Sequence, residues 1–268
     1  EVTPDNYKVK MFKMGLCKEN PWAGFDDNAN NTKTADLSSC IDIFDVAAGK
    51  EVNLTPGSEV NLLDNEVVLP IGSFPYIYAL LDNVIQIKHI QEFAAASGGD
   101  ANFVIQGYDP NNDSAGDGKV CYSGLNDSNK KFVMTKSNER AFGSTTTLRG
   151  YALPAKYNGS RPNAKGFHKQ FPTIAQWYYL FNGSDTIAAS PETVEKILFI
   201  QNDTNNIINI SEDTTAFKLN FKTSNALEIG VYEESGANDQ ILAATEMQAN
   251  SIFVNIQTKT RKSGDTFN

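Results

Sequence analysis

Apolar and polar residues alternate one for one along much of this chain, a period that suits strands and not helices. The clearest run is Phe217-Lys-Leu-Asn-Phe-Lys222, where Phe217, Leu219 and Phe221 share one face and Lys218, Asn220 and Lys222 the other. Thr223-Ser-Asn-Ala226 reads as a turn, after which Leu227, Ile229 and Val231 resume the apolar face. These two runs are expected to form a hairpin, one side buried and one wet. The runs 240–245 and 251–258 are expected to make a further pair. Earlier candidate strands are 7–17, 40–47, 51–54, 66–71, 76–81, 84–93, 103–107, 119–122 and 131–135, with 195–201 and 206–211 later. The aromatic stretch Thr173–Phe181 leans the same way. One helical turn is expected at Pro191–Lys196, capped by Ser190. Short strands broken by Gly, Pro and Asn turns predict an all-β fold, an antiparallel β-sandwich of jelly-roll type with long decorated loops.

At 268 residues the chain is long enough to bury a substantial core. It is read as a single domain spanning 1–268, with a loop-rich insertion at about 108–175 and a subdivision near 190 as the alternative. Net charge is −9 and the sequence pI about 4.8, so a phosphate backbone would be repelled and no nucleic-acid partner is expected. An anionic membrane surface is disfavoured for the same reason. The longest apolar cluster, Phe74–Leu81, falls far short of the roughly 20 residues that span a bilayer, and no membrane insertion is expected. No basic segment followed by an apolar one opens the chain, so it is read as the mature form of an exported protein.

Cys17 and Cys40 each close one end of a strand-like run, with a polar loop rich in Asn, Asp and Thr between them. Cys121 stands apart in Gly118–Gly124. Three pairings are open. The shared amino-terminal unit favours Cys17–Cys40, whose bridge would contribute about 3 kcal/mol in the chain-entropy model. Three reduced, buried thiols are the alternative. Asn-X-Ser/Thr triplets start at Asn30, Asn53, Asn112, Asn126, Asn158, Asn182, Asn202 and Asn209. Several coincide with Asn-Gly or Asn-Asp turns, which account for them without glycans.

Catalytic signals are sparse. His89 follows Ile85 and Ile87 on one face and reads as a packed or rim histidine, and His168 reads as a loop residue. No metalloprotease, nucleophile-elbow or phosphate-loop motif occurs. The chain is expected not to be an enzyme and to need no cofactor. Asp109-Pro-Asn111-Asn-Asp113 opens like a calcium loop, but Ser114 replaces the turn glycine and Val120 the bidentate glutamate. Asp109, Asn111 and Asp113 therefore remain a weak metal candidate beside an ordinary Asx turn.

The runs Tyr7–Cys17, Ile41-Asp-Ile-Phe-Asp-Val-Ala-Ala-Gly49 and Leu69-Pro-Ile-Gly-Ser-Phe-Pro-Tyr76 resemble an uncharacterised group of exported β-rich surface and filament-type proteins of marine bacteria. The resemblance covers about the first 95 residues and implies an extracellular or cell-surface location. The expected function is a non-enzymatic structural subunit of an extracellular filament or surface assembly, its copies joined head to tail into a homopolymer. An amino-terminal strand within Val2–Met14, carrying Tyr7, Val9 and Met11, is the candidate donor to a neighbour's sheet, favoured over the polar tail Thr258–Asn268. Pairing of both termini within their own subunit is the alternative. The second functional reading is a secreted carbohydrate-binding or adhesin module with Trp22 as an exposed stacking platform for surface glycans. A viral coat protein is a third.

Overall fold

A computed structural model describes residues 2–22, 34–55, 68–86, 174–188, 193–227 and 252–261 with their side chains. It describes backbone alone at 87–88, 90–92, 104–106, 120–122, 133–136, 139–140, 149–150, 157–158, 161–162, 165–171, 228–233 and 241–249. The first strands are β1 (Asn6–Cys17), β2 (Cys40–Leu54), β3 (Gly72–Phe74), β4 (Tyr76–Asp82), β5 (Val84–Lys88) and β6 (Ile90–Glu92). Short ones follow: β7 (Val104–Gln106), β8 (Val120–Tyr122), β9 (Val133–Lys136), β10 (Glu139–Arg140), β11 (Arg149–Gly150), β12 (Tyr157–Asn158) and β13 (Arg161–Pro162). Next come β14 (Lys165–Phe171), β15 (Ile174–Phe181), β16 (Lys196–Asp203) and β17 (Ile208–Ile210). The last are β18 (Thr214–Lys222), β19 (Leu227–Glu233), β20 (Ile241–Ala249) and β21 (Phe253–Thr260). Among the described residues no α-helix occurs, and every pairing but that of β20 with β7 is antiparallel. The protein is all-β, as its alternation predicts.

One eight-stranded sheet dominates, in the order β14-β15-β16-β4-β1-β5-β9, with β2 on the other side of β1. β1 is its central strand. It pairs with β2 from Tyr7↔Leu54 to Cys17↔Cys40, and on its opposite edge with β4 through Met11–Cys17 and with β5 through Asn6–Lys8. β4 and β5 are two halves of one bent path. At the bend the Asp82 carboxylate accepts from the Val84 amide at 2.7 Å, and buried Asn83 donates to the Val194 carbonyl at 3.1 Å. Beyond the bend the sheet splits, β4 going to β16 and β5 to β9. Residues 68–71 are not a strand, contrary to expectation, and pairing resumes only at Gly72. Of the expected helical turn, Thr193 is in a 3-10 turn, while Val194 and Glu195 are irregular and lead straight into β16.

An antiparallel sheet with one wet face shows strict alternation, yet β4 and β16 are apolar at nearly every position, Ile77–Leu81 and Ile197–Ile200 all being buried. The reason is that the chain covers both faces of its own sheet at these strands. On the first face Met11, Met14, Leu16, Ile77, Ala79, Leu81, Tyr178, Leu180, Ile197 and Phe199 join one cluster with Ile208, Ile210, Val254 and Ile256. Burying a large apolar side chain stabilises by roughly 1.5–3 kcal/mol, so this cluster is the main source of stability. A buried amide fixes how the layers meet. Gln201 Nε2 donates to the Val254 carbonyl at 2.6 Å, while its Oε1 accepts from the Val254 amide at 3.1 Å. Gln176 donates to the Ile252 carbonyl at 3.2 Å and accepts from the Tyr178 hydroxyl at 2.7 Å.

The expected hairpins pair differently. β18 pairs with β21 and β19 with β20, so the runs 217–222 and 227–231 are not partners, nor are 240–245 and 251–258. The registers Lys222↔Phe253 and Leu227↔Ala249 nearly coincide. The four strands therefore form one long, interrupted hairpin. Thr223–Ala226 is a turn, closed by Ala226 N to Thr223 O at 3.0 Å with Asn225 at φ 60°, but it kinks one arm rather than reversing the chain. β15 and β16, on either side of residue 190, are neighbours in the main sheet.

Candidate functional site

The second face of the main sheet carries the features that sequence pattern alone did not join. Its cross-strand rows follow from register. One runs Trp177, Ile200, Tyr78, Gly15, Asp42, and the next Tyr179, Leu198, Leu80, Lys13, Asp45. Aromatic and aliphatic groups thus occupy β15, β16 and β4, and charges occupy β1 and β2.

Gly15 connects the two halves. A β-carbon there would collide with the Tyr78 ring and the Ile41 carbonyl oxygen. Because glycine has none, the phenol of Tyr78 on β4 reaches past β1, and its hydroxyl donates to the Asp42 carboxylate on β2. Burial first, and the bond to Asp42 second, push the Tyr78 phenol well above the ordinary tyrosine range. Beside it Lys13 donates to Asp45 at 2.8 Å and lies 3.9 Å from Asp42. The bond to Asp45 raises the Lys13 ammonium pKa. Farther along, Phe12 has Lys10 at 5.3 Å and Lys196 at 5.1 Å from its ring centre, and Lys196 pairs with Asp185 at 2.6 Å.

Cys17 and Cys40 are bridged, as directly opposed residues of β1 and β2. Residues 18–22 and 34–39, next to the bridge, fold back onto this face. Asp36 N donates to Pro21 O at 3.0 Å, tying the two arms together. Ala35 and Leu37 pack on the cluster of Tyr78, Leu80, Tyr179, Phe181, Leu198 and Ile200. Trp22 packs there too, half-buried, with its ring 5.0 Å from that of Tyr179. The residue read as a stacking platform thus lies against the sheet as part of the loop's anchorage.

Tyr7, Val9 and Met11, the candidate donor residues, are 2%, 2% and 0% exposed inside their own subunit. The strand is also fixed ahead of its start, since Val2 and Leu227 exchange backbone bonds at 2.8 and 3.1 Å. β1 is paired along both edges and tied to β2 at Cys17, so it is not a free arm. Asp109, Asn111, Asp113 and His89 lie outside the described residues. His168 lies in β14, opposite Gln176, rather than in a loop. Cys121 is in β8, opposite Gln91. Among the described residues no group of three or more His, Cys, Asp or Glu is arranged to hold a metal, and no helix is long and apolar enough to cross a membrane.

Comparison with known proteins finds no match among family models, curated proteins or solved structures. The reading of this chain therefore rests on its own residues. What the described part of the second face provides is packing and fixed charge. The disulfide fits an oxidising compartment.

Proposed function

We propose that the chain is a non-enzymatic structural subunit of an extracellular filament or surface assembly, built from copies of itself joined head to tail. One observation carries the reading. The chain covers both faces of its main sheet at β4, β15 and β16, with β17 and the long hairpin on one and residues 18–22 and 34–39 on the other. A sheet covered on both faces at its centre and stapled between β1 and β2 suits a load-bearing or scaffolding role. The placement of Tyr7, Val9 and Met11 weighs against donation of β1, because withdrawing that strand would open the core of the subunit that gives it. Copies then join as folded units, by a heterologous contact that repeats without closing.

Sedimentation velocity and light scattering of the native, oxidised protein across a concentration series test this proposal. The expected result is a distribution of large, linear species that grows with concentration. A single monomeric species at every concentration would overturn it. Glycan binding around Tyr76 and Trp177, whose ring centres lie 6.3 Å apart, would be the reading to take up in that event.

A further inference from the structure

Resting on that reading, we infer that the contact between copies is made by two of the three outer strands of the main sheet (β2, β9 and β14), β2 of one copy pairing with β14 of the next. Among the described residues β2 pairs only with β1, and β14 only with β15. Strand direction supports the match. Every step from β2 through β1, β4, β16 and β15 to β14 is antiparallel, so β2 and β14 run in opposite directions. A copy shifted sideways without rotation therefore brings β14 against β2 antiparallel, the mode used throughout this sheet.

Charge decides between this contact and its symmetric rivals. β2 carries Asp42, Asp45 and Glu51 against Lys50, while the sequence of β14, Lys165-Gly-Phe-His-Lys-Gln-Phe171, has lysines at 165 and 169 and no carboxylate. The β2 carboxylates have partners in Lys13 and Lys8, yet their side chains stay 43%, 46% and 56% exposed. Lys13 alone serves both Asp42 and Asp45, so that part of β2 keeps a net negative charge. A two-fold contact of β2 with β2 sets acid on acid, and β14 with β14 sets base on base. Of these three pairings β2 with β14 is the complementary one, and like-charge juxtaposition disfavours the closed dimers. β2 is also blunted as an edge strand should be. The registers Lys13↔Asp45 and Met11↔Lys50 leave Val46–Gly49 bulged out opposite Phe12, with Gly49 at φ 72°. Bulge and charge together discourage indiscriminate strand addition and leave two short segments for a matched partner.

The experiment uses Asp45→Lys and Lys169→Glu in the full oxidised chain, singly, combined in one chain, and as a mixture of the two single variants. Glu51→Lys is a second β2 variant, and circular dichroism confirms the fold of each. Each single reversal is expected to weaken self-association about tenfold, as for a rim charge pair. The double variant and the mixture are expected to regain it, because each again sets opposite charges across the contact. Rising salt is expected to weaken the wild-type contact. Folded single variants that associate like the wild type would overturn this contact while leaving the subunit reading intact. A wild type that stays monomeric would overturn both.

Discussion

Gly15→Ala is the smallest change that tests how the second face is built. The added methyl group has two obstacles, the Tyr78 ring and the Ile41 carbonyl oxygen. The backbone oxygen cannot swing aside, and the Tyr78 ring is packed between Ile200 and β1. Overpacking of this kind costs about 1–3 kcal/mol. Displacing the ring also breaks the bond from its hydroxyl to Asp42. A hydrogen bond to a charged group contributes about 1.5–3 kcal/mol, and the lower end applies because Asp42 is 43% exposed. The two effects together predict a loss of about 3 kcal/mol, read by urea denaturation followed through tryptophan fluorescence. A double-mutant cycle isolates the cause. In a Tyr78→Leu background the ring is gone, and Gly15→Ala should cost at least about 1 kcal/mol less than in the wild type. A cost below about 0.5 kcal/mol, or the same cost in both backgrounds, would refute the passage of the phenol across β1.

Gln201→Leu keeps the volume but removes the amide that clamps Val254; it should destabilise by roughly 2–4 kcal/mol, since a buried N–H and C=O lose their partners. Hydrogen exchange should then speed up at the Val254 amide. Deleting residues 1–14 should give an unfolded chain, because removing buried Tyr7, Val9, Met11 and Met14 forfeits roughly 6–12 kcal/mol, comparable with the whole stability of a domain. A folded truncated subunit would restore strand donation as the mode of assembly. In alkali, burial holds the Tyr7 and Tyr78 phenols above their ordinary range, and Lys13 is raised by its bond to Asp45. Each folded pKa exceeds its unfolded value, so the contribution is complete below about pH 10 and is lost as the pH climbs beyond it. Phenolate absorbance should show some tyrosines ionising only as the chain unfolds. All of them titrating together near pH 10 in a folded chain would contradict this.

Local pattern carries the strands well. Alternation marks β18, and the apolar run Tyr76–Leu81 marks β4, because a strand's period and length are written in consecutive residues. Pairing is less legible. Residues 217–222 and 227–231 are separated by a good turn, and nothing local distinguishes a turn that reverses a chain from one that kinks the arm of a longer hairpin. Contacts across several strands are the least legible. Tyr78 meets Asp42 only because β4, β1 and β2 adopt one register and Gly15 stands between them. The weak signal was a glycine inside a strand, which marks a close approach. Trp22 illustrates the same limit. Flanked by Pro21 and Ala23-Gly24, it reads as a surface residue until the bridge at Cys17–Cys40 and the bond from Asp36 to Pro21 fold its loop onto Tyr179.

Negative-stain electron microscopy of the native, oxidised protein tests the central claim most directly. Copies joined end to end through their sheets should appear as unbranched linear assemblies with one subunit repeating along the axis. Isolated particles of the size of one chain, or closed dimers, at concentrations where the protein is otherwise soluble would contradict it.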